Sequence, residues 1–115
     1  MPRRSSEKRR QIYDEFRQRV NMAPKALERW LATGESQAVG VKQDDGGESI
    51  GHASGRRIVQ IKRTKKQDLS DGDYDHMVKV VKYVKRHSAQ GPAHDAEHSR
   101  WRYSLMNWGH DPLAE

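Results

Sequence analysis

Apolar residues recur along this chain at helical spacing, and each run is bounded by helix start or stop residues. Ile12, Phe16 and Val20 stand four apart, with Tyr13 alongside, and Ser5 or Ser6 suits the N-cap. A first helix is therefore expected to reach about Val20 and to end at Asn21. Pro24 fits the first turn of a second helix, whose stripe is Leu27, Trp30 and Leu31, with Gly34 as its stop. Glu35 to Gly55 is poor in apolar residues and rich in Gly and Asp, so most of it reads as loop. A third helix is expected over about 52–66. Ile58 and Ile61 share a face there with Ser54, and with Ile50 if the helix reaches back that far.

The fourth helix has the clearest pattern. Ser70 is its N-cap, and Asp71, Asp73 and Asp75 suit the positive end of the helix dipole. Tyr74, Met77, Val78, Val81 and Val84 form one stripe, and Gly91-Pro92 stops the run. A last helix is expected from about Ala96 to Asn107, carrying Trp101 and Leu105, with Trp108 one turn further and Gly109 and Pro112 ending it. No internal repeat or heptad array is present. The prediction is an all-α single domain of about five helices over residues 7–112. A disordered basic arm over 1–6 and a disordered tail over 113–115 flank it.

Composition tests whether such a domain can fold. Leu, Ile, Val and Phe supply only 18 of 115 residues, a share below the roughly 20% at which disorder becomes a serious prior. Three Trp and four Tyr offset this, because each buries a large area. Mean hydropathy is −1.13, and no run approaches the roughly 20 apolar residues of a membrane span. Arg3, Arg4 and Lys8 lead into an amphipathic helix rather than an apolar segment, so no secretory signal is expected. With no Cys, thiolate chemistry is excluded and a cytoplasmic setting is expected.

Charge narrows the function. The net charge is +6, and its sign varies by block. Residues 56–66 carry six basic and no acidic side chains, 67–78 carry four acidic and no basic ones, and 79–87 carry four basic and no acidic ones. On the fourth helix Lys79, Lys82 and Arg86 lie within about 60° of one another, opposite the apolar stripe. Tyr83 sits beside them as an exposed aromatic, able to stack on a base or to cover the stems of its basic neighbours.

This arrangement predicts non-catalytic binding of nucleic acid, DNA before RNA, through phosphate contacts. The expected contacts are Arg56, Arg57, Arg63 and Lys66 on the third helix, with Lys79, Lys82, Tyr83 and Arg86 on the fourth. Arg3, Arg4, Lys8, Arg9 and Arg10 are expected to act as a tethering arm. Five or six contacts on duplex DNA give a salt slope near about −5. No base-reading set is visible, so little sequence preference is expected. The alternative is a protein-interaction module that docks through Trp101 to Pro112. The competing expectation for that stretch is that its Trp residues complete a thin core.

Three patterns suggest other chemistry. His94-Asp95-Ala96-Glu97-His98 matches the inverted zinc-peptidase pattern, but a chain this short lacks the walls of a peptidase cleft. Asp44-Asp45-Gly46-Gly47-Glu48 lacks calcium-loop spacing and reads as acidic loop. Gly51 and Gly55 form neither a dinucleotide fingerprint nor a P-loop, although they can bring helix-start amides to a phosphate. No catalytic set, metal site or cofactor is expected.

Several segments together resemble a known family. These are Phe16 to Asn21 with Leu27, Trp30 and Leu31; Gly51-His52 with Ser54-Gly55-Arg56-Arg57-Ile58-Val59; Tyr83-Val84-Lys85-Arg86-His87; and Trp101 to Pro112. They resemble the uncharacterised family of small proteins called domain of unknown function 3140, whose members are often labelled DNA-binding. The resemblance implies a compact bacterial-type single domain and a nucleoid-associated location if that label applies. It assigns no role to particular residues.

Overall fold

The computed structural model describes residues 5–40, 47–92 and 95–114. Six α-helices follow in order among them: α1 (Ser6–Arg19), α2 (Pro24–Leu31), α3 (Gly34–Ala38), α4 (Ile50–Arg63), α5 (Asp71–Gln90) and α6 (Arg100–Asn107). A 3-10 turn, Lys66–Asp68, links α4 to α5, and no β-strand occurs among the described residues. The all-α expectation holds.

Capping hydroxyls set most of the starts. Ser5, Thr33, Ser49, Ser70 and Ser99 each accept a hydrogen bond from the backbone N–H three residues on. At Ser70 the capping box is complete, because the Asp73 carboxylate also accepts from the Ser70 N–H at 3.0 Å. These caps correct four boundaries. Gly34 does not stop α2; it is the first residue of α3, capped by Thr33. Ser49 starts α4 at Ile50, so Gly51 and Gly55 lie within the helix, and extended backbone at Thr64 ends it before Lys66. Ser99 delays α6 to Arg100, so Asp95 to His98 precede the helix and cannot present the peptidase pattern on a helical face. Ser5 is the N-cap of α1, one of the two residues expected there, so the helix starts at Ser6, within the span assigned to the arm. Arg3 and Arg4, the Asp44-Asp45-Gly46 part of the acidic loop, His94 and Glu115 lie outside the described residues.

The core follows the sequence stripes. Ile12, Phe16 and Val20 from α1 and its end meet Tyr74, Met77, Val81 and Val84 of α5, with Val80 also buried. Leu27 and Leu31 of α2 meet Ile58, Val59 and Ile61 of α4. The helix α6 lies across α2, α3, α4 and α5, and its Leu105 and the following Trp108 complete one core. The result is a single globule of 42 × 32 × 26 Å.

Glycines let α6 come close. A Cβ on Gly55 would stand 2.5 Å from the Asn107 carbonyl oxygen, and one on Gly51 2.9 Å from Trp108 Nε1. Both glycines are buried against the end of α6. Close packing therefore explains them, with no need for a phosphate at their amides. Gly109, at φ +80°, turns the chain after Trp108 and accepts from the Met22 N–H at 3.1 Å.

Candidate functional site

The α5 helix has two working faces. Its inner stripe fills the core, and a second stripe of Lys79, Lys82, Tyr83, Arg86 and His87 lines a groove of about 610 Å³. Ser104, Asn107 and Trp108 line the same groove from the α6 side. Among the described residues, Gly40, Ile50 and Gly51 line it from the start of α4 and the segment before it. Among the described residues no carboxylate lies within ion-pair distance of Lys79, Lys82 or Arg86.

Tyr83 departs from expectation. It is half-buried, and its ring stacks on Trp108 at 4.3 Å and on His87 at 5.2 Å between centroids. From α5 alone Tyr83 lies off the core stripe, but α6 covers that flank. Burial raises its phenol pKa, against opposing pulls from Ser104 and Arg86, so the ring stays neutral. Arg86 lies over the Tyr83 ring, 5.9 Å from its centroid. Burial lowers the His87 pKa, Arg86 adds to the shift, and the imidazole is neutral at pH 7.

The other expected contacts are placed differently. Arg56 holds Glu48 with an Nε–Oε2 distance of 2.7 Å, and His52 also bonds that carboxylate. Arg56 and then His52 hold the Glu48 carboxyl at a pKa of about 2. Arg63 grips Glu28 through two bonds of 2.8 and 2.7 Å. Arg57 pairs with Asp73 at 3.4 Å. Arg9 pairs with Asp71 and lies over the Tyr74 ring, and Lys66 lies over the Tyr13 ring at 4.8 Å. Arg10 is exposed on α1. Exposed pairs of this kind contribute only about 0–1 kcal/mol to stability, yet each carboxylate competes with a phosphate for its cation. Arg56 and Arg63 line a second groove together with Glu28 and His52, and it shares no residue with the first. The expected cations thus do not form one patch. Acids from outside the 56–66 block neutralise its arginines, whereas no described carboxylate pairs with the row Lys79, Lys82 and Arg86.

The C-terminal aromatic segment is mostly structural. Trp108 is 5% exposed, and Trp101 packs against the core and donates to the His87 carbonyl at 2.9 Å. Arg102 clamps Asp111 through two bonds of 3.1 and 3.0 Å. His98 meets only Asp95, at 3.2 Å, and no three potential metal ligands converge among the described residues. No described helix is long and apolar enough to cross a membrane.

His76 lies behind the groove. It hydrogen-bonds the Ser54 hydroxyl at 2.9 Å and stacks parallel to Trp108 at 6.4 Å. Burial, with Arg57 and Lys79 adding to it, lowers its pKa from 6.5 to about 4. The unfolded chain therefore takes up this proton first, and stability falls as pH drops from 6.5 toward 4. Allowing for the ring's partial exposure, the expected loss by pH 5 is about 1 kcal/mol. His87 adds a smaller loss of the same sign. Urea denaturation at pH 7 and pH 5 checks this, and His76→Gln should flatten the difference. An unchanged difference would assign the pH dependence elsewhere.

The fold and groove define a small all-α domain with a cationic rim and an aromatic floor. A family model described as "Protein of unknown function (DUF3140)" matches residues 15–106, and the chain belongs to that family. No curated protein and no solved structure matches it.

Proposed function

We propose that this domain is a non-catalytic nucleic-acid-binding protein, acting on DNA before RNA, that contacts phosphates through Lys79, Lys82 and Arg86. The observation that carries the reading is their shared row on the rim of a groove, free of any carboxylate partner among the described residues. The protein-docking alternative would be favoured by Trp101 or Trp108 exposed in an apolar patch; Trp108 is buried and Trp101 is half-buried against the core. The proposed role implies a cytoplasmic, nucleoid-associated protein.

Three phosphate contacts carry a salt slope of about −2.7 on duplex DNA, so binding should weaken roughly 40-fold between 50 and 200 mM salt. Fluorescence anisotropy with a labelled duplex measures it. Replacing Lys79, Lys82 and Arg86 with Ala should flatten the slope by about 2.7 units and leave the melting temperature nearly unchanged, because these side chains are exposed. A variant with the wild-type slope would remove these residues from the interface. No binding of duplex or single strand at 50 mM salt would end the nucleic-acid reading.

A further inference from the structure

The groove also bears on the kind of nucleic acid, an inference that rests on the function proposed above. An element that reads duplex DNA is convex, a helix or ribbon that enters the major groove. Here the cations without a carboxylate partner among the described residues rim a concavity. Its lining is largely apolar: Tyr83 and Trp108 from one side, Ile50, Gly40 and Gly51 from the other. Ile50 is 36% exposed, one of only two large apolar side chains at the surface among the described residues. A duplex keeps its bases paired and stacked inside, so it can satisfy the cations while the groove stays filled with water. A single strand can satisfy both, with the charged backbone on the rim and an unstacked base in the groove.

The dimensions agree. Lys79 to Arg86 is about seven helical steps, about 10 Å along the axis, so successive phosphates of one strand can each meet a cation. A volume of about 610 Å³ lies within the roughly 300–1,000 Å³ range of small-ligand pockets, enough for a base with its sugar. The hydrogen-bonding atoms of Asn107 are already engaged by Trp30 and Ser36. The groove thus offers a base contact surface more than a set of reading groups.

We infer that the groove between α5, α6 and the start of α4 seats an unstacked base of a single-stranded nucleic acid whose phosphates lie on Lys79, Lys82 and Arg86. Recognition is then sequence-tolerant, because any base supplies a flat apolar face. Tyr83 is committed to stacking on His87 and Trp108. The base therefore packs against the wall that Ile50 provides as well as against the rings.

The test is anisotropy at 50 mM salt with a labelled oligothymidylate, a duplex of the same length and an acidic amphipathic peptide. The single strand should bind about tenfold tighter than the duplex, the gain expected from one seated base. Ile50→Gln, an exposed substitution that leaves every charge in place, should remove most of that preference while duplex binding stays near wild type. Trp fluorescence should be quenched by the single strand more than by the duplex. Equal or tighter binding of the duplex overturns the inference and leaves the proposed function standing. So does a single-strand preference that survives Ile50→Gln. Binding of the peptide with neither nucleic acid overturns both readings.

Discussion

Asn107→Ala should cost about 4 kcal/mol, as much as truncating a large side chain in the core. Asn107 is 1% exposed at the end of α6. Its Oδ1 accepts from Trp30 Nε1 at 2.8 Å and from the Ser36 hydroxyl, and its Nδ2 donates to the Ser36 carbonyl at 3.0 Å. One side chain thus joins α2, α3 and α6. Truncation strands an indole N–H, a hydroxyl and a carbonyl, at about 1–3 kcal/mol for each group that finds no other partner. Trp30 is only partly buried, so water can recover part of that loss. For a chain of this size the melting temperature should fall by about 15 °C. Ser36→Ala, which removes one hydroxyl, should cost only about 1 kcal/mol. Thermal and urea denaturation measure both, and equal losses would show that Asn107 is no hub.

Gly55→Ala is expected to cost about 3 kcal/mol, although Ala is the better helix former by about 1 kcal/mol. The new methyl would stand 2.5 Å from the Asn107 carbonyl oxygen and 2.7 Å from Leu31 Cδ2. Backbone on one side and a buried Leu on the other leave it little room, so α6 or α2 must shift. Gly34→Ala is the control. Its Cβ meets nothing within 4 Å, and the change should be neutral or stabilising by a few tenths of a kcal/mol, about what lost unfolded-chain entropy supplies. If the two variants melt together, close helix approach does not explain Gly55.

Local signals in the sequence specify the structure where a helix is long or well capped. Tyr74, Met77, Val81 and Val84 of the expected stripe are buried, whereas Val78 is only half-buried and Val80 takes a core position instead; Ser70 and Gly91 bound α5. Ile12, Phe16 and Val20 behave likewise around α1. The shortest helix escaped, since α3 has five residues and no room for a period. Its signal was Thr33, three residues before the N–H it caps, masked by reading Gly34 as a stop. The burial of Tyr83 is invisible to a helical wheel, which shows a residue's direction on its own helix and not what packs there.

The candidate site divides the same way. The row Lys79, Lys82 and Arg86 is local, and its spacing survives folding intact. Whether a cation is free is not local: Glu28 meets Arg63 across 35 positions and Asp73 meets Arg57 across 16. The sequence by itself determined the helical class, the principal core stripes and the sign and spacing of charge on α5. These rest on periodicity and capping within a few turns. Only the tertiary structure decided which arginines are held by distant carboxylates, why Gly51 and Gly55 are glycines, and that a groove opens between α5 and α6. Those depend on contacts as distant as Trp30 with Asn107, 77 positions apart, and no local pattern encodes which helices will meet.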